Sequence, residues 1–99
     1  VKREEGGSEM RGFESKVLTS SGVVKAAPGR VSAISLAAGT DAATVILDDS
    51  TDGNGTDKWK LAALTGDGDS ISFPEPLLFG VGIYATITGA APAVSVAYE

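Results

Sequence analysis

The chain has 99 residues, eight Lys and Arg against thirteen Asp and Glu, a formal net charge of -5, and neither Cys nor His. That length makes one domain with a modest core, and the missing side chains exclude disulfides, thiolate metal sites and the commonest general base. The acidic balance excludes a nucleic-acid partner and an anionic membrane surface, each of which requires a basic face.

No apolar run approaches the ~20 residues of a spanning helix. The opening VKREEGG is followed by no apolar stretch, so no signal peptide is expected, and the lack of Cys fits folding in a reducing cytoplasm.

Residues 1–16 (VKREEGGSEMRGFESK) hold half of all the basic residues, Lys2, Arg3, Arg11 and Lys16, against Glu4, Glu5, Glu9 and Glu14. This segment has too little apolar content to fold alone and reads as an extended N-terminal arm. Residues 17–99 then form the folded domain. Met10 and Phe13 flank Arg11 and offer apolar anchors beside mixed charges, which suits docking on a neighbouring protein by strand addition. Arg3, Met10, Arg11 and Phe13 are therefore the arm's candidate contact residues. The bland alternative is a frayed terminus.

From Phe13 onward the pattern is β. FESKVLTS (13–20) leads to Ser21-Gly22, and Val23–Ala27 runs into a Pro28-Gly29 turn. VSAISLAA (31–38) follows. ATVILD (43–48) is β-branched and apolar, as expected of a strand covered on both sides. The loop 48–57 (DDSTDGNGTD) carries the strongest turn chemistry in the chain.

In KWKLAALT (58–65), Trp59, Leu61 and Ala63 alternate with Lys58 and Lys60. Ile71 and Phe73 form the next strand, which Pro74 and Pro76 are expected to end. In LLFGVGIYATIT (77–88), Val81, Ile83, Ala85 and Ile87 share one face, and Gly82, Tyr84, Thr86 and Thr88 the other. Val94, Val96 and Tyr98 close the chain on one face of a last strand. Seven or eight short strands at about ten-residue spacing indicate an antiparallel sandwich or barrel.

The expected core is Val17, Leu18, Ile34, Leu36, Ile46, Leu47, Trp59, Leu61, Phe73, Phe79, Ile83 and Ile87. Many neighbouring positions are Ala, which bury little area, so reinforcement by oligomerisation is expected.

Asp48, Ser50, Asp52 and Gly53 match the start of a calcium loop, but the twelfth position, where a bidentate Glu should close the site, is Trp59. A solvated Asp/Gly hairpin is the better reading, and no metal or other cofactor is expected. The carboxylate pairs Asp48/Asp49 and Asp67/Asp69 sit on Gly-rich tips, where water should keep them ordinary; with no His to activate a nucleophile, no enzyme is expected. Trp59, Tyr84 and Tyr98 would serve as a sugar-stacking platform only if at least two were exposed on one face. Tyr84 is the best candidate for a subunit-facing aromatic.

The stretches VLTSSGVVKAAPGRVSAISLAAG, ATVILDDSTDGNGTDKWKLAA and FPEPLLFGVGIYATITGAAPAVSVAYE resemble small structural proteins of tailed-bacteriophage virions. The resemblance covers residues 17–99 and consists of strands and turns, with no catalytic signature. It implies a β-sandwich of jelly-roll character that decorates or cements a capsid, often as a homotrimer. The implied partners are the major capsid protein or other virion proteins, and the implied location is the capsid exterior after synthesis in the host cytoplasm. The alternative is a carbohydrate- or receptor-binding module of a phage tail or bacterial surface.

Overall fold

A computed structural model describes residues 14–99. Eight strands follow one another: β1 (Glu14–Leu18), β2 (Gly22–Lys25), β3 (Gly29–Ala37), β4 (Ala43–Asp49), β5 (Thr56–Ala63), β6 (Gly68–Phe79), β7 (Ile83–Thr88) and β8 (Ala93–Tyr98). The first begins at Glu14, so Glu14, Ser15 and Lys16, read from sequence as arm, belong to the sheet.

The strands form two four-stranded sheets, β1-β8-β3-β6 and β2-β7-β4-β5, in which every pairing is antiparallel. Strand 1 pairs with 8, 2 with 7, 3 with 6 and 4 with 5, the nested order of a doubled-over ribbon. That ribbon, wound across two sheets, is a jelly-roll β-sandwich.

Alternation within each strand decides which side chains meet between the sheets. Ile34 and Leu36 of β3, Val94 and Val96 of β8, Val45 and Leu47 of β4, and Ile83 and Ala85 of β7 are all buried. Leu61 and Ala63 of β5 extend the core, and Trp59 packs at its margin, edge-on to Phe73 of β6 with ring centroids 4.9 Å apart. This seam brings the edge strands of the two sheets together on one side of the sandwich.

Several sequence expectations need correction. Val17 and Leu18 are adjacent in a strand and must face opposite ways; Leu18 packs on the core while Val17 is 65% exposed. Ile46 alternates with Val45 and Leu47, so it lies on the outer face, and β4 has one fully buried side instead of two. The prolines do not end β6. It runs through Pro74 and Pro76 to Phe79 as an edge strand, where a missing amide costs no ladder bond on the open side.

The register supplies the reason for that continuation. Val31 pairs with Leu77 but Ala33 with Ser72, so residues 73–76 of β6 bulge opposite Ser32. The same irregularity, repeated against β8, turns both Val31 and Ile34 inward although they are three residues apart. Finally, 77–88 is not one strand. Leu77–Phe79 ends in one sheet, 80–82 crosses over, and Ile83 begins in the other, leaving Val81 57% exposed in the turn.

Candidate partner-binding surfaces

The outer face of the β1-β8-β3-β6 sheet carries two rows of aligned residues. Ser15, Ala97, Ala33 and Ser72 form one row, and Val17, Ser95, Ser35 and Ser70 the next. None is charged and none is larger than Val, because their strand neighbours take the inward places. The result is an uncharged patch of small side chains on an acidic protein, bordered on the same face by the row of Glu99, Arg30 and Leu78, in which Arg30 and Glu99 form an ion pair. The depression along it holds only about 130 Å³, well below the ~300 Å³ at which small-molecule sites begin. A larger open hollow of about 390 Å³ lies along Ser35, Leu36, Gly68, Asp69 and Ser70, with no aromatic wall and one carboxylate. Such surfaces suit a broad protein partner better than a small ligand.

The outer face of the other sheet is different. Thr44 and Thr88 share a hydroxyl hydrogen bond, Ile46 and Thr86 sit in the next row with Lys60, and Tyr84 and Asp48 are paired in the row beyond. The loop 50–55 folds back over that last row. Asp48 is consequently 2% exposed and Ser50 6% exposed, so the base of the loop is buried, while Thr51, Asp52 and residues 54–57 are exposed as a solvated hairpin tip requires.

Its construction is specific. The Ser50 hydroxyl donates to Asp48 Oδ1 at 2.9 Å and accepts from the Gly53 amide at 2.9 Å. The Gly55 amide donates to Asp48 Oδ2 at 3.3 Å, and the Asn54 amide donates to Asp52 Oδ1 at 2.9 Å. Gly53 has φ +85°, and a Cβ there would stand 3.0 Å from the Tyr84 ring. At Gly55 a Cβ would fall 2.2 Å from the Asp49 carbonyl oxygen. The loop oxygens of the calcium-like motif are thus turned to the backbone. Among the described residues no group of three or more carboxylate, His or Cys side chains is placed to hold a metal.

Asp49 is the feature that sequence reasoning missed. Its carboxylate accepts from the Gly80 amide at 3.0 Å, Val81 at 2.7 Å and Gly82 at 3.3 Å, so the end of β4 clasps the β6–β7 crossover. Donation from Gly80 and then Val81 stabilises the anion and holds this carboxyl below its ordinary value of 3.8; Gly82 and Lys58 act in the same direction, against desolvation. The Asp49 carboxylate is not an ordinary tip carboxylate. It is a fastener, with its oxygens engaged by three backbone amides.

Of the predicted contact residues, Arg3, Met10, Arg11 and Phe13 lie outside the described residues. Tyr84 is half-buried beneath Gly53 instead of standing free. Tyr98 is half-buried on the core side of β8, with its hydroxyl 3.4 Å from Glu14 Oε1. Desolvation, then Glu14, raises the pKa of that hydroxyl. Trp59 is at the β5–β6 seam. The three aromatics occupy three separate places, so the shared exposed face that sugar stacking requires does not form.

Comparison of the chain with protein-family models, with curated proteins and with solved structures gives no match.

Proposed function

We propose that this chain is a non-enzymatic structural protein of a bacteriophage virion that binds a capsid and strengthens it. The observation that carries the proposal is the uncharged patch of Ser15, Val17, Ala33, Ser35, Ser95 and their neighbours, spread over four strands of a rigid jelly roll. A patch without charge of its own, beside an Arg30–Glu99 pair that is already matched, can lie against a large protein surface without stranding unpaired ions, at little desolvation cost. The loops at the end nearest Asp49 are tied to the sheets, which preorganises the body for docking. The resemblance of residues 17–99 to virion structural proteins supplies the partner class, the major shell protein. In this reading each copy touches more than one shell subunit, and repeated modest contacts add up across the particle.

The test is co-sedimentation of the folded protein with empty capsids assembled from a shell protein of the same virion gene cluster, with and without residues 1–12. Saturable binding at a fixed ratio to shell subunits is expected, weakened when residues 1–12 are removed. Absence of binding by folded protein overturns the capsid role; unchanged binding of the shortened chain overturns a contribution from the arm.

A further inference from the structure

We infer that the outer edge of β1 pairs with β1 of a second copy of this chain, antiparallel and in the register that sets Glu14 of each copy opposite Lys16 of the other. A sandwich of two open sheets has four edges, each a row of backbone donors and acceptors that only another strand satisfies fully. Three of them are blunted. β5 carries Lys58 and Lys60, both exposed, and β6 carries Pro74 and Pro76 together with its bulge. β2 has only four residues and a register break between Val23 and Lys25, and Lys16 Nζ donates to its Val23 carbonyl at 3.0 Å.

β1 is blunted less: its one Lys, Lys16, stands beside a Glu of opposite sign. Its five residues, ESKVL, include no Pro or Gly and keep unbroken register with β8 from Glu14 to Leu18. Among the described residues no strand lies on its outer side. Val17, 65% exposed, stands on this edge as a large apolar side chain in water.

Charge selects the occupant. Each copy carries net charge -5, so association needs local attraction to offset general repulsion. Glu14 and Lys16 lie two apart on one face of β1. A two-fold axis through Ser15 exchanges positions 14 and 16, placing a carboxylate opposite an ammonium twice over, with Ser15 against Ser15 on the other face; Lys16 Nζ has two N–H donors beyond the one given to the Val23 carbonyl, and Glu14 has its Oε2 beyond the Oε1 that the Tyr98 hydroxyl meets. The pattern is complementary to itself, and a second copy always supplies it. Pairing would join the two sheets into one of eight strands and double the uncharged patch. Such an interface closes at two copies, whereas the resemblance implies three. It does not depend on the virion reading, because its partner is this chain.

Analytical ultracentrifugation of the full chain over a wide concentration range tests it. A concentration-dependent dimer is expected. Glu14→Lys and Lys16→Glu, each folded by circular dichroism, should each weaken self-association by about tenfold, and an equimolar mixture of the two should recover it as a heterodimer. Ser15→Lys, which sets like charges at the axis without touching either partner, should also give monomer. A wild-type chain that stays monomeric, variants that dimerise undiminished, or a mixture that fails to recover would each overturn the inference.

Discussion

Replacing Ser50 with Ala removes one oxygen from a buried turn and tests whether that oxygen holds the loop over Tyr84. The Ser50 hydroxyl makes two hydrogen bonds of 2.9 Å, to Asp48 Oδ1 and from the Gly53 amide, at a position 6% exposed. Each bond contributes about 1 kcal/mol net, so the substitution should cost about 2 kcal/mol, more if water cannot reach the orphaned Gly53 amide. For a domain of this size that corresponds to a fall in Tm of roughly 8–16 °C. Urea and thermal unfolding followed by far-UV circular dichroism measure the cost. Near-UV circular dichroism of the Tyr84 region reports whether the loop has lifted. Ser72→Ala, on an exposed outer face, is the control and should fall within about 0.5 kcal/mol of wild type. A Ser50→Ala cost no larger than that of Ser72→Ala would refute the view that the hydroxyl organises the loop.

Two further outcomes follow from the packing and the charges. Leu47 is fully buried and its neighbour Ile46 is on the outer face, so Leu47→Ala should cost about 2–5 kcal/mol and Ile46→Ala about 1 kcal/mol; equal costs would contradict the assigned face of β4. Because the folded-state pKa of Asp49 is depressed, its stabilisation is complete above about 3.8 and is lost as pH falls from there through the folded value. Asp49→Asn should therefore be less stable than wild type at neutral pH, with the gap closing over that acid window in denaturant titrations; a gap independent of pH would show that the amide clasp does not act through the carboxylate's charge.

Much of the fold was legible because a strand's period is two residues and burial enforces it. Trp59/Leu61/Ala63, Ile83/Ala85 and Val94/Val96 carry their face in the alternation itself, and Gly- and Asp-rich breaks mark the turns between them. The core list failed where alternation was ambiguous or interrupted. ATVILD is apolar on both faces, so the pattern could not say that Ile46 points out. The inward pairing of Val31 with Ile34 requires a bulge at Ser32, where the register shifts against both β6 and β8, strands far away in the sequence. Pro74 and Pro76 looked like a terminus since their tolerance depends on being at a sheet edge, a property of strand order. The site was less legible still. Asp49 and the 80–82 crossover are about thirty residues apart, and no local signal joins a turn carboxylate to three distant amides.

The sequence by itself determined an acidic, all-β chain without His or Cys, divided into strands by its turn residues. Those properties are local or compositional: they follow from side-chain chemistry and from nearest-neighbour backbone preference. Tertiary structure decided the nested order of the two sheets, the small-residue patch on one outer face, the covered Tyr84 and the Asp49 clasp. Each depends on which strands become neighbours, and that choice is made by the joint burial of side chains far apart in the chain, where no single segment holds the information.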